Sequence, residues 1–139
     1  MSVQYKVTER INPTDLTLPK KFYARINNGD DVSFDELTEL ISKVSNLNYG
    51  TVVGAIGTLI EVIEMQLTHG RKVRLSNLGT FFLTLRSSGT DTQEEFRRGD
   101  IKGARIRFRP GPRLQRLIPK LQYEKVTVFD STQTTLPEG

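Results

Sequence analysis

Six cations alternate with apolar residues along three short segments in the second half of this 139-residue sequence. The segments cover residues 72–75, 80–86 and 105–109. Alternation with a period of two is typical of a half-buried strand, whose two faces carry different residues. The apolar residues would pack on one face, and the opposite face would carry what we call the six-cation face: Lys72, Arg74, Arg86, Arg105, Arg107 and Arg109.

A sheet face of this composition is suited to binding an anion. Cross-strand arginine neighbours repel each other, so such a face is costly unless an anion covers it. The planar guanidinium group of arginine also matches the geometry of phosphate oxygens. The pattern therefore favours nucleic acid as the ligand, while a merely solvated face and a face that binds an acidic protein stay open.

The charge distribution along the chain points the same way. The net charge is +4, but residues 1–70 carry six Lys/Arg against nine Asp/Glu, whereas residues 71–125 carry fourteen against five. A basic half joined to a slightly acidic half indicates a polyanion-binding surface confined to one side.

Other kinds of chemistry find little support in the sequence. There is no cysteine, which excludes disulfides and thiolate chemistry, and the one histidine, His69, is too few for a histidine-built metal site or triad. Glu94 and Glu95 are the only acid–base candidates, and neighbouring residues on a loop point in different directions. We expect no catalytic residue, no metal, no cofactor and no small-molecule substrate, and therefore no enzyme. His69 is expected to cap a helix dipole.

The hydrophobic content, 36%, supports one modest core. A small core often means that a partner subunit completes the burial, so we predict a homodimer. No uninterrupted run of about 18 apolar residues exists, and the N-terminal MSVQYKVTER lacks an apolar stretch. We expect a soluble cytoplasmic protein with no membrane partner.

The elements that would hold the six-cation face can be placed by periodicity. Strands are predicted over 3–8 and 21–26, and Ser33 with Glu36 has the spacing of a capping box that opens a helix. A longer helix is predicted over 51–67, and Gly70 follows it where a glycine in the left-handed conformation would cap its C-terminus. Beyond the three cationic strands we predict a short helix over 112–118, a strand over 123–129 and a frayed tail over 130–139. Glycines 50, 54 and 57 indicate that another backbone comes close to the long helix.

This order of elements resembles the HU/IHF family of bacterial histone-like DNA-binding proteins. The resemblance covers about residues 33–121 and is carried by Gly70 with Val73-Arg74-Leu75, by Gly79-Thr80-Phe81, and by Phe108-Arg109-Pro110-Gly111. The extra segments at both ends are similar to longer HU-like variants of Bacteroides-type bacteria.

The resemblance implies an α+β fold with a helical dimer base, a three-stranded antiparallel sheet, a β-arm and additional N-terminal strands. It divides the chain into an N-terminal strand extension (1–32), an HU-like DNA-binding domain (33–121) and a C-terminal strand and tail (122–139). The implied function is architectural, largely sequence-independent binding of double-stranded DNA in the nucleoid. The implied DNA contacts are the six-cation face together with Arg97, Arg98, Lys102, Arg113 and Arg116.

The segment in the position of the family's arm departs from the family pattern. It lacks the proline of the arm tip, and its cations are offset by acids, namely Asp91, Glu94, Glu95 and Asp100. Phe96 is the candidate for an intercalating residue. The acidic arm and the exposed edges of the extra strands favour an alternative function, a protein-interaction or scaffold module of HU fold with weak or no DNA binding.

Overall fold

The structure is a computed structural model that describes residues 1–127. The elements follow in chain order as β1 (Val3–Arg10), β2 (Lys21–Ile26), α1 (Phe34–Ser45), α2 (Tyr49–Thr68), β3 (Val73–Arg74), β4 (Gly79–Ser87), β5 (Ile101–Pro110), α3 (Pro112–Gln115) and β6 (Tyr123–Lys125). Short 3-10 turns cover Arg98–Asp100 and Ile118–Lys120. The predicted strand over 123–129 is thus observed over its first three residues. Its end and the predicted tail over 130–139 lie outside the described residues.

The chain forms two compact units. One contains Met1–Asp31 together with the described residues from Lys120 onward, and the other contains Val32–Pro119. Each has its own three-stranded sheet. The chain is therefore a mixed α+β protein, as the sequence predicts.

In the first unit, β1 is the central strand of the sheet β2-β1-β6. It pairs antiparallel with β2 and parallel with β6. The predicted strands at the N-terminus are confirmed, and β1 extends two residues further than its alternation indicates. The ladder with β2 continues through Glu9↔Phe22 and Arg10↔Lys21, which supplies the backbone partners for this extension.

The two long helices of the second unit start where side chains cap them. Ser33 and Glu36 form the predicted capping box, in which the Glu36 amide donates to Ser33 Oγ at 3.2 Å and the Ser33 amide donates to Glu36 Oε2 at 3.1 Å. α2 begins at Tyr49, earlier than predicted, because Asn48 Oδ1 accepts the Gly50 amide at 2.8 Å. Its end is confirmed, since Gly70 adopts the left-handed conformation with φ of 72°.

Few side chains of the second unit are buried. Among the described residues, the buried side chains are those of Thr38, Val52 and Leu67, and the glycines Gly79 and Gly111 are buried as well. Apolar residues of both helices face outward instead, including Leu40 with 54% and Ile60 with 58% of its surface exposed. α2 is also long and apolar enough to cross a membrane by length and composition alone, and it is the one such helix within residues 1–127.

The sheet of the second unit has the order β3-β4-β5 and is antiparallel throughout. β5 starts four residues earlier than predicted, at Ile101, because the ladder with β4 continues to Ser87↔Ile101. The connection between these strands is therefore shortened to residues 88–100. α3 ends at Gln115, not at 118, because Pro119 has no N–H to donate to the Gln115 carbonyl.

Candidate nucleic-acid interface

The register of β4 and β5 places the predicted cations on one surface. Thr80 pairs with Arg109, Phe82 with Arg107 and Thr84 with Arg105. Paired residues lie on the same face of an antiparallel sheet, and the face alternates along each strand. Arg86 follows Thr84 on that face, Arg74 joins it through its pairing with Thr80, and Lys72 precedes Arg74 by two positions. All six members of the six-cation face are exposed.

No two arginines of this face lie directly opposite each other, although Arg86 and Arg105 are diagonal cross-strand neighbours. Each β5 arginine lies opposite an uncharged residue, and Arg86 lies opposite Gly103. Successive arginines on β5 are two residues apart, about 6.6–6.8 Å along the strand. This spacing lowers the mutual repulsion of the β5 arginines relative to a directly opposed pair, and all three are exposed.

Phe82 lies among these cations and contacts two of them through its ring. Lys72 Nζ lies 5.5 Å from the centroid of the Phe82 ring, and Arg109 Cζ also lies 5.5 Å from it. Both distances are within the range of a cation–π interaction. Such a contact orders a cation without neutralising it, so the charge stays available to an anionic ligand.

No carboxylate within the described residues neutralises this face. The single ion pair found in residues 1–127 joins Lys20 and Glu9 of the first unit, at 3.8 Å. Arg86, Arg105 and Arg107 instead line a shallow recess of about 200 Å³ together with Thr84 and Leu85. Guanidinium donors around an open recess can donate hydrogen bonds to phosphate oxygens.

The opposite face of the same sheet is apolar. Phe81 and Phe108 are paired across β4 and β5 with their ring centroids 4.9 Å apart. A trough of about 360 Å³ lies between this face and α2, and its lining includes Ile60, Leu67 and Ile106. The sheet thus separates an apolar side from a cationic side, as the alternation predicts.

Two glycines fix the end of the sheet that carries Arg109. A Cβ atom added at Gly79 would lie 2.4 Å from the Arg109 carbonyl oxygen, and one added at Gly111 would lie 2.3 Å from the Asn77 carbonyl oxygen. The Gly111 amide donates to Leu78 O at 2.9 Å. α3 begins directly after Gly111, so Arg113 lies in this short helix and Arg116 caps its end.

The remaining predicted contacts lie in the connection between β4 and β5 or beside it. Lys102 is the extra residue of the register shift at Arg86/Ser87, so the alternation does not assign it to the six-cation face. Asp100 anchors the connection, because its backbone oxygen accepts the Ser88 amide at 2.8 Å and its carboxylate accepts the Arg97 amide at 2.7 Å. Phe96 and Arg98 are exposed nearby, Phe96 with 40% of its surface.

The other titratable candidates form no catalytic cluster in the described part of the chain. Glu94 and Glu95 are exposed in the connection. No three His, Asp or Glu side chains of residues 1–127 come together as a metal site requires. His69 caps α2 as predicted, since its Nδ1 lies 2.8 Å from the Met65 carbonyl oxygen and donates a hydrogen bond to it, because a carbonyl oxygen can only accept one.

Sequence reasoning missed Phe82 as a member of this site. The alternation already put Phe82 on the polar side of β4, between Thr80 and Thr84. A large aromatic residue at an outward-facing position among cations was the available signal.

Comparisons with known proteins agree with this architecture. Residues 1–125 match the family described as HU-HIG, an HU domain fused to wHTH, Ig, or a glycine-rich motif. A solved structure from Bacteroides vulgatus, described provisionally as a bacterial DNA-binding protein, superimposes with a TM-score of 0.62 at 15% sequence identity. The alignment covers 90% of this chain and 48% of that protein, so this chain spans about half its length. A comparison with curated proteins gives no match.

The family match covers both units of the chain and includes every residue of the six-cation face. It confirms the resemblance at the level of the HU domain, while the assignment to a particular longer variant stays a prediction. The chain belongs to the HU-HIG family.

Proposed function

We propose that this protein is an architectural DNA-binding protein that recognises double-stranded DNA largely independently of sequence and acts as a homodimer. The observation that carries the proposal is the six-cation face, which is exposed and has no carboxylate partner among the described residues. The HU domain of the matched family and the description of the Bacteroides vulgatus protein support DNA as the anion.

In the proposed mechanism the cations neutralise phosphates. Each arginine of β5 offers a planar pair of N–H donors to a phosphate, and Phe82 keeps Lys72 and Arg109 in place before DNA arrives. Contacts to phosphates release counterions and carry no sequence information, so binding tolerates sequence and weakens steeply with salt. Arg97, Arg98, Lys102, Arg113 and Arg116 would add contacts at the margins, with the connection following the minor groove.

The proposed homodimer follows from the exposed apolar surface. A unit with only two buried apolar side chains among the described residues, Val52 and Leu67, leaves Leu40, Ile60 and the apolar trough beside α2 open to water. A second copy would cover these groups and supply the missing core. Apart from its chain neighbours and the backbone of α2 itself, an added Cβ at Gly54 or Gly57 would meet no atom of the described residues within 4 Å, which leaves room for a second chain to approach α2 there.

A salt titration tests the proposed function. If a dimer engages on the order of six phosphates, the logarithm of the affinity should fall against the logarithm of the salt concentration with a slope of about −5. The triple variant Arg105→Gln/Arg107→Gln/Arg109→Gln should flatten that slope and weaken binding equally for unrelated duplexes. An unchanged slope in a folded triple variant would contradict the proposal.

A scaffold function is the second candidate. The acids of the connection and the β2 strand, all of whose residues are exposed at the sheet edge, favour contact with a protein partner. This candidate predicts little retention on DNA at moderate salt. We further propose that the protein acts in the cytoplasm at the nucleoid and has no catalytic activity.

A further inference from the structure

We propose that the first unit carries a second phosphate-binding surface, on one face of β1 and β2. Its cations are what we call the four-cation face: Lys6, Arg10, Lys21 and Arg25. The ligand would be the sugar–phosphate backbone of DNA. This surface consists of residues outside the second unit, so it does not depend on DNA binding by the six-cation face.

The register of β1 and β2 opposes like charges twice. Lys6 lies directly opposite Arg25, and Arg10 lies directly opposite Lys21. Residues opposed in this way have Cβ atoms about 4.5–5.5 Å apart, and like charges at that distance destabilise a sheet. The six-cation face, where each arginine opposes an uncharged residue, has no such pair. An anion between the paired cations would relieve the repulsion.

The carboxylates of this unit do not supply that anion. Glu9 lies on the other face with Tyr5 and Val7, where it pairs with Lys20. Glu124 lies beside Gln4 at the β6 edge, and its Oε2 accepts a hydrogen bond from Ser2 Oγ at 2.9 Å. Within the described strands of this sheet, Glu124 is thus the one carboxylate on the face of the two cation pairs, and it lies on β6, diagonal to Lys6 and on the side of β1 away from β2.

An aromatic residue and a recess lie beside the cations. Tyr23 lies between the two cation pairs, opposite Thr8, with 48% of its surface exposed. Arg10 Cζ lies 6.0 Å from its ring centroid. Arg10, Lys21 and Tyr23 also line a recess of about 380 Å³. Cations interleaved with an exposed tyrosine suit the sugar–phosphate backbone, because lysine, arginine and tyrosine side chains all contact the phosphate and sugar groups of DNA.

The loop that forms the other wall of this recess is held by its own side chains. The Thr14 amide donates to Asn12 Oδ1 at 3.1 Å, and the Thr17 amide donates to Asp15 Oδ1 at 2.9 Å. Hydrogen bonds from the Thr17 hydroxyl and amide hold the pKa of Asp15 below its ordinary value. These hydrogen bonds order the loop beside the recess, and Asp15 is not among the residues that line the recess.

Two matched double variants of the full chain test the site. Lys6→Gln/Arg25→Gln removes one cation pair, while Lys20→Gln/Lys125→Gln removes the same charge from the same unit outside the four-cation face. Fluorescence anisotropy with a labelled duplex at several salt concentrations gives the affinity and its salt slope. We expect the Lys6/Arg25 variant to lose about 1.8 from the magnitude of the slope per chain and the control to keep the slope of the wild-type protein.

The same pair of substitutions in the Arg105/Arg107/Arg109 triple variant separates the two surfaces. We expect the triple variant to keep residual salt-dependent binding that the added Lys6→Gln/Arg25→Gln weakens further, with a smaller salt slope. Residual binding whose affinity and salt slope are unchanged by those additions would overturn the second surface. Full affinity in the triple variant would instead contradict the proposed function, while loss of binding in the Lys6/Arg25 variant would still support the second surface.

Further measurements test whether the variants fold and whether the surface binds DNA or an acidic protein. Removing opposed like charges should leave the melting temperature at low salt equal to or above that of the wild-type protein. The other pair, Arg10→Gln/Lys21→Gln, should reproduce the slope change. If the variants bind duplex like the wild-type protein but lose binding to poly-glutamate, the surface recognises an acidic protein and the assignment to DNA is wrong.

Discussion

Arg109 lies over the ring of Phe82, with its Cζ 5.5 Å from the ring centroid, and Lys72 Nζ lies at the same distance from that ring. One aromatic residue therefore orders a cation from β5 and a cation that precedes β3. Neither cation has a carboxylate partner among the described residues. The contact positions both groups for an external anion and leaves their charge intact.

Replacing Phe82 by leucine should weaken DNA binding without changing its salt dependence. Exposed cation–π contacts contribute about 0.5–1 kcal/mol, so we expect a loss of about 2–5-fold in affinity. The number of phosphate contacts stays the same, and so should the slope against salt. Anisotropy titrations of Phe82→Leu and of Thr84→Val, a same-face substitution that removes no cation–π contact, measure both quantities. A flattened slope in Phe82→Leu would mean that the ring does more than position cations.

Gly111→Ala should destabilise the second unit. The added methyl would lie 2.3 Å from the Asn77 carbonyl oxygen, at the point where β5 leads into α3. Overpacking of this kind costs about 1–3 kcal/mol. Urea denaturation of Gly111→Ala should show a lower midpoint, whereas Gly99→Ala, where an added Cβ meets nothing within 4 Å, should remain close to wild type. Equal midpoints would show that the Asn77 turn yields to the methyl.

Local signals in the sequence specified most of the second unit. Ser33 and Glu36 located the start of α1, Gly70 located the end of α2, and alternation assigned the two faces of β4 and β5. These features depend on neighbours within a few residues, which is why a single sequence reveals them.

The features that the sequence did not reveal depend on the register between paired strands. Residues 1–31 carry five Lys/Arg and four Asp/Glu, so their nearly balanced charge hides the four-cation face. Only the pairing of Lys6 with Arg25 shows that the cations share one surface. A shift of the register by one residue would turn every β2 side chain to the other face. The register shift at Arg86/Ser87 likewise depends on strand pairing, and it leaves Lys102 without a place in the alternation.

Substitution of the α2 glycines by alanine tests the proposed dimer, because it should stabilise a monomer but weaken the association of a dimer. Gly54 and Gly57 have open space around them within the chain, so in a monomer alanine at either position should stabilise the helix by up to about 1 kcal/mol. In a dimer whose second chain approaches α2 at these glycines, the added methyls should clash and weaken association. We expect sedimentation at low micromolar concentration to show about twice the chain mass for wild type and a shift toward monomer for Gly54→Ala/Gly57→Ala. Gly29→Ala, also in open space but outside the helix, is the control.

The connection between β4 and β5 should make this protein a weak bender of DNA. Side chains that wedge into base steps kink duplexes by roughly 20–90°, a range drawn from proteins that include HU and IHF themselves. Here residues 88–100 contain no proline, and their acids should be repelled by the negative potential of the minor groove. Phe96, with 40% of its surface exposed, is the one large apolar side chain of this segment. We therefore expect moderate affinity and little bending.

Energy transfer between the labelled ends of a duplex measures the bend in wild type and in Phe96→Ala. We expect a small change in end-to-end distance on binding, and the same small change in the variant, because no rigid wedge enters the stack. A large bend that Phe96→Ala abolishes would show that the ring inserts despite the neighbouring acids. A large bend that persists in Phe96→Ala would assign the deformation to the six-cation face, whose cations would then curve the duplex by neutralising the phosphates on one side.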